Sequence, residues 1–231
     1  MIPVTKPFCP PIALYKEYID EIWERNWLTN NGPLVMKLEN NLSEYLNVKN
    51  ILYTTNGTIS LQLAIKALKL NNEIITTPFS YVATTTSIVW EGCKPVFVDI
   101  DPKTLLIDPK KIEAAITPRT RAIIPVHLYG RVCQMDEINE IARKHNLVVI
   151  EDTAQGFAAQ DHLGRFAGMM SDVGTFSFYK TKNISTFEGG MICTPKNSKL
   201  DAKKIRSICE QGQDGKYNHV NIGFNFRLAE P

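Results

Sequence analysis

Lys182 follows directly on an aromatic and hydroxyl run, Phe176-Ser177-Phe178-Tyr179-Lys180-Thr181. A lysine in a partly dry pocket loses its proton readily and forms a Schiff base with an aldehyde. A lone lysine is ordinarily a solvated surface charge, so its company decides the matter. Asp152 is part of that company, in Glu151-Asp152-Thr153-Ala154-Gln155. A carboxylate there can hold a heterocyclic nitrogen protonated, which turns the ring into an electron sink. Gln155 can donate to a ring oxygen. An isolated Glu-Asp pair more often caps the next segment or binds a metal, and the metal reading is weak here because no histidine or second carboxylate cluster stands at ligand spacing.

Three further segments have chemical uses and plain alternatives. In Thr55-Asn56-Gly57-Thr58, a glycine at a helix start lets backbone N–H groups approach a phosphate, and the helix dipole favours the anion. The same residues make an ordinary Asn/Thr cap with a tight turn. Tyr81, read as the start of a helix after Pro78, can stack on a planar group or simply pack. Glu188-Gly189-Gly190 suits a tight turn without any function. His127 either lines a pocket or satisfies a strand-end hydrogen bond, and the second reading is preferred.

Short apolar runs alternate with helical spacing through the chain. The predicted strands are Ile51–Thr54, Ile74–Thr76, Pro95–Asp99, Ala122–Val126, Leu147–Glu151, Thr175–Tyr179 and Met191–Thr194. The predicted helices are Ile12–Trp27, Pro33–Leu46, Thr58–Leu68, Tyr81–Glu91, Pro109–Ala115, Met135–His145 and Leu200–Gln211. This alternation predicts an α/β fold of three layers, α/β/α, around a mainly parallel sheet. Leu147-Val148-Val149-Ile150 reads as a central strand buried on both faces. In such sheets ligands bind beyond the carboxyl ends of the strands, where the polar candidates fall.

Composition narrows the function classes. The 26 basic and 24 acidic residues leave a formal net charge of +2, which argues against nucleic-acid or acidic-membrane partners. Five scattered cysteines without CxxC spacing argue against a zinc site or disulfide framework and fit a reducing cytoplasm. The opening Met1-Ile2-Pro3-Val4-Thr5-Lys6-Pro7 lacks a signal-peptide core, and no apolar run reaches the ~20 residues of a membrane helix. A soluble protein is expected.

A helix start for phosphate, an acid for a ring nitrogen, an aromatic stacker and a lysine together match one cofactor, pyridoxal 5'-phosphate (PLP). Asn56-Gly57-Thr58, Pro78-Phe79-Ser80-Tyr81-Val82-Ala83-Thr84, Pro125-Val126-His127-Leu128-Tyr129-Gly130, Glu151–Gln155 and Phe176–Asn183 resemble, in order, the DegT/DnrJ/StrS sugar aminotransferases of PLP fold type I. The resemblance implies that Lys182 carries PLP and moves the proton, and that Asp152 pairs with the ring nitrogen. It further implies that Gln155 meets the ring hydroxyl, that Gly57, Thr58 and Ser177 hold the phosphate with Asn56 also among the cofactor-binding residues, and that Tyr81 stacks on the ring. Gly223-Phe224-Asn225-Phe226-Arg227 resembles a segment presented to the neighbouring subunit, so Asn225 would reach a phosphate across a homodimer with shared active sites.

The implied reaction carries an amino group from L-glutamate to a nucleotide-linked keto-deoxysugar, and the opening segment through Trp27-Leu28-Thr29-Asn30-Asn31-Gly32-Pro33 resembles members that aminate C4 of dTDP-4-keto-6-deoxyhexose. Members that dehydrate instead carry histidine at the lysine position. Three departures stand out. Lys180 replaces a proline or small residue, and Phe187 replaces a frequent glycine. The chain reaches Pro231 where the family continues into a helix and a smaller domain. The expectation is therefore a PLP-binding large domain over 1–231, with an N-terminal helical segment 1–48 and the C-terminal small domain absent. A rival reading is a truncated, non-catalytic PLP-binding remnant or regulatory domain. A dinucleotide-binding oxidoreductase ranks behind both, because Asn56-Gly57-Thr58 lacks the spaced glycines.

Overall fold

The computed structural model describes residue 2, residues 6–195, residue 198 and residues 200–231. Two helices, α1 (Ile12–Arg25) and α2 (Pro33–Tyr45), precede the first strand. Then follow β1 (Asn50–Thr54), α3 (Gly57–Ala67), β2 (Glu73–Thr76), α4 (Ala83–Trp90), β3 (Lys94–Phe97), α5 (Pro109–Ala115) and β4 (Thr120–Ile123). The rest are α6 (Met135–Lys144), β5 (Val148–Asp152), β6 (Val173–Ser177), β7 (Gly190–Thr194) and α7 (Ala202–Cys209). Helix starts follow local chemistry. Pro33 and Pro109 occupy first-turn positions where a missing N–H costs nothing, and the Asp108 and Asp201 carboxylates accept from Lys110 N and Lys203 N.

The seven strands form one sheet in the order β1-β7-β6-β5-β4-β2-β3. β5 therefore lies centrally, as its apolar run predicts. β2, β3, β4, β5 and β6 pair in parallel, whereas β7 runs antiparallel to both β6 and β1. Residues 178–189 carry the chain from the end of β6 back into β7, opposite Ser177. That return sets the segment bearing Lys182 at the same sheet end as Asp152.

Strand residues alternate between two faces, as a period of two requires. Leu52, Ile74, Ala122, Ile150 and Ile192 pack beneath α3, α4 and α7, with Leu61, Ala64, Ile65, Ile88, Ile205 and Ile208. On the other face, Ile75, Ile123 and Val149 meet Ile112 of α5 and Ile138 of α6. Ile51, Tyr53, Phe176, Met191 and Cys193 meet Val35 and Leu46 at α2. The result is the expected α/β/α layering. Each fully buried Ile or Leu contributes ~1.5–3 kcal/mol, so these two faces dominate the fold's stability.

The sequence reading errs mainly at edges. α4 begins at Ala83 rather than Tyr81, because Ser80, Tyr81 and Val82 form the preceding loop. β6 spans Val173–Ser177 rather than Thr175–Tyr179. In α1 the apolar spacing forms a helix without burying its stripe: Ile22 is buried, whereas Ile12 and Trp23 are 78% and 63% exposed.

Candidate active site

A cavity of about 790 Å³ opens beyond the carboxyl ends of β1, β5 and β6. Its walls include Asn56, Gly57, Thr58, Tyr81, Asp152, Gln155, Ser177 and Lys182. Eight of the nine residues expected at the site thus share one space. Asn225 does not.

The N-terminus of α3 forms one wall. Asn56 caps it, its Oδ1 accepting from Ile59 N at 3.0 Å. The N–H groups of Gly57 and Thr58 have no acceptor among the described residues, so the helix end presents two open donors to an anion. Only glycine fits at 57, because a Cβ there would lie 2.7 Å from Ser177 Cβ. Gly190 is held as tightly, since a Cβ would lie 2.3 Å from the Asn56 carbonyl carbon. These two contacts bring the phosphate-type turn, the end of β6 and the start of β7 together.

Asp152 and Glu151 are neighbours in β5 that serve opposite faces. Asp152 faces the cavity: its Oδ2 accepts from Thr84 Oγ1 at 2.7 Å and its Oδ1 from Ala154 N at 3.1 Å. Burial pushes its carboxyl above the usual carboxylate range, while these two bonds and the Lys182 charge act the other way. Glu151 is turned away and accepts from Gly168 N, Met170 N, Ser171 Oγ and His127 Nε2. His127 Nδ1 in turn accepts from Cys133 N at 3.1 Å, so the ring proton sits on Nε2. His127 is fully buried and is absent from the cavity wall, which leaves the structural reading of that residue.

Lys182 stands opposite this carboxylate in the loop after β6, its N–H donating to Tyr179 O at 2.8 Å. Burial pulls its ammonium below the usual lysine value, and the Asp152 charge partly restores it. Asn183 Nδ2 anchors the loop to Phe157 O at 3.0 Å. A second tie runs from Tyr53 of β1, whose hydroxyl pairs with Thr186 Oγ1 at 3.1 Å. Lys180 is exposed, lies over its neighbour Tyr179 and does not line the cavity. The two lysines are therefore sorted by geometry.

Gln155 Oε1 accepts from Tyr129 N at 3.1 Å, so the amide turns its Nε2 hydrogens elsewhere. Tyr81 is 69% exposed at the cavity rim. Asn225 is exposed and its Oδ1 accepts from Arg227 Nε at 3.0 Å, outside the cavity. Sequence reasoning missed Thr84, Ser80 and Glu188, which also line the cavity. Ser80 and Thr84 lay inside a motif already singled out, but nothing local marks a hydroxyl for a carboxylate 68 residues away.

Open backbone donors beside Ser177, a buried carboxylate and a half-buried lysine form a donor set that fits PLP. A family profile described as the DegT/DnrJ/EryC1/StrS aminotransferase family matches residues 13–231. The chain is 46% identical to dTDP-4-amino-4,6-dideoxy-D-glucose transaminase of Shigella dysenteriae, covering 98% of this chain and 64% of that protein. It superposes on the crystal structure of DesI in the presence of its TDP-sugar product with a TM-score of 0.91. The two are 36% identical over 99% of this chain and 58% of DesI. The PLP form of Spr1654 from Streptococcus pneumoniae gives a TM-score of 0.91 at 27% identity, over 99% of this chain and 63% of that one. The chain thus spans about three-fifths of the length of the relatives it matches.

Proposed function

The chain belongs to the DegT/DnrJ/EryC1/StrS aminotransferase family, and from that premise we propose that it is the PLP-holding large domain of a sugar aminotransferase. The reaction moves an amino group from L-glutamate to a nucleotide-linked keto-deoxysugar, dTDP-4-keto-6-deoxyhexose, for surface-polysaccharide or natural-product sugars. One observation carries the reading: Lys182, Asp152 and the open start of α3 meet in a single cavity. The names of the similar proteins support the sugar assignment.

When bound, PLP supplies an aldehyde that condenses with amines and a protonated ring that accepts the electron pair released at the substrate's α-carbon. Asp152 would hold the ring nitrogen's proton. Gly57 N, Thr58 and Ser177 bind the phosphate, while Asn56 fixes the turn that presents them. Tyr81 covers the ring and Gln155 donates to its hydroxyl. Lys182 Nζ would hold the cofactor's aldehyde until an amino donor displaces it and would then carry the α-proton; its burial favours the neutral amine that this role needs.

The working unit in this proposal is a homodimer in the cytoplasm. Ile12 and Trp23 leave an apolar stripe of α1 uncovered, and the exposed Asn225, whose Oδ1 is taken by Arg227, would turn its Nδ2 hydrogens to a neighbour's phosphate. All five cysteines are free thiols, which suits a reducing compartment. The test is the absorption spectrum of purified protein with PLP, before and after borohydride, with the reduced adduct mapped by mass. An adduct on Lys182 supports the reading, and no adduct sinks it. Turnover of glutamate with the keto-sugar nucleotide by this chain would rule out the non-catalytic remnant.

A further inference from the structure

Thr84 lies in the first turn of α4 and is 1% exposed. Its hydroxyl has one hydrogen and two acceptors within reach, Asp152 Oδ2 at 2.7 Å and Tyr81 O at 3.3 Å. The shorter, charge-assisted bond takes the hydrogen. Ser80 Oγ, 3.0 Å from Thr84 Oγ1, is then the donor of its own contact. A directed chain results, Ser80 to Thr84 to Asp152, running from the cavity wall to the buried carboxylate.

The remainder of Asp152 is fixed by backbone: its N–H donates to Pro125 O and its carbonyl accepts from His127 N. Two side-chain bonds then determine the carboxylate's orientation. Ala154 N holds Oδ1, and Thr84 holds Oδ2. Each oxygen keeps further lone-pair capacity for a ligand. Helix α4 is itself tied to the phosphate turn, because Ser87 Oγ donates to Thr58 O at 3.4 Å.

We propose that Thr84 is a positioning residue for the cofactor ring, its hydroxyl holding Asp152 in the orientation and charge state that grip the ring nitrogen. This rests on the PLP reading above. Without the hydroxyl, a carboxylate buried at 3% exposure loses its shortest bond and the first of the contacts that oppose burial's push toward the protonated form. Thr84→Val keeps the shape and removes the donor; Thr84→Ser keeps the donor.

The experiment measures PLP affinity by absorbance titration from pH 6 to 9, and the ring-nitrogen ¹⁵N shift of labelled PLP, in native protein and both variants. Native protein binds PLP with a protonated ring nitrogen. Thr84→Val weakens binding about tenfold or more, as expected for a buried hydrogen bond to a charge, and moves the ¹⁵N shift toward neutral pyridine. Thr84→Ser restores both. A Thr84→Val protein with native affinity and native ¹⁵N shift overturns the proposal while leaving the PLP reading intact. Native protein that takes up no PLP overturns that reading itself. Should Thr84→Val fail to fold, Ser80→Ala supplies the readout: a smaller shift in the same direction supports the chain, and no shift refutes it.

Discussion

The carboxylate of Glu230 caps helix α2 at Val35, 195 residues earlier in the chain. Its two oxygens accept from Leu34 N at 2.9 Å and Val35 N at 3.0 Å, and Arg25 pairs with it at 3.6 Å. Gly32 makes room, since a Cβ there would overlap the carboxyl group at 2.3 Å. Glu230→Ala leaves two helix-start donors without an acceptor and costs ~1–3 kcal/mol in urea unfolding. Glu230→Gln costs less, because one oxygen remains. Equal losses in both variants would mean that the cap is not what holds this contact.

Lys182 is expected to titrate below the ordinary lysine value of 10.5, because burial disfavours its charge. Trapping by a small aldehyde and borohydride requires the neutral amine. Site-resolved trapping at Lys182 therefore rises through a midpoint below pH 10.5. Asp152→Asn removes the charge that favours the ammonium and moves the midpoint lower still. A midpoint that rises in Asp152→Asn would show that the two groups are not coupled as described. With PLP in place of the small aldehyde, Lys182→Ala abolishes the absorbance of the linked cofactor, and Lys180→Ala keeps it.

Gly57→Ala tests the close approach of α3 to β6. The new methyl would lie 2.7 Å from Ser177 Cβ and 3.1 Å from Phe176 O. The helix start must shift, with a cost of ~1–3 kcal/mol in stability. Because the open N–H groups move with it, PLP affinity falls more than the stability loss alone explains. Unchanged affinity, measured by equilibrium dialysis, would remove Gly57 from the phosphate wall.

Phe187 adopts φ +62°, a left-handed backbone that bulky residues rarely occupy. Phe187→Gly relieves ~1–2 kcal/mol of that cost. It also gives up an edge contact with Tyr15 at 6.1 Å, worth ~0.5–1.5 kcal/mol, and adds ~0.4–1 kcal/mol of unfolded-state entropy. The terms nearly cancel. Thermal unfolding should place the variant within about 1 kcal/mol of the native chain, by the same arithmetic. A loss well beyond that would mean the ring packs more than its 65% exposure implies.

Much of this protein is legible from apolar spacing, for a physical reason. Strands such as Leu147–Ile150 are buried on both faces, so their composition announces them, and polar residues just past them fall at the ligand-binding end of the sheet. Lys182, Asp152 and Gly57 follow that rule, and the family resemblance joins them. Contacts between distant segments leave no such trace. Thr84 and Asp152, Glu230 and Val35, and the antiparallel sense of β7 depend on where the chain returns. Glu151 is a different case. A period of two already puts it on the opposite face from Asp152, and the four donors it gathers identify it as an anchor for residues 168–171 and His127.

The sheet order also bears on how the pocket is assembled during synthesis. β1, which leads into the Asn56-Gly57 turn, and β6, which leads into the lysine loop, do not pair with each other; β7 lies between them. A nascent chain that has left the ribosome only as far as Glu188 already holds the β5–β6 pair that sets lysine against carboxylate, but lacks the strand that joins β1 to β6. The sheet tie between the Asn56-Gly57 turn and the end of β6 is thus made only when residues 190–194 slot in, however early the individual side chains appear.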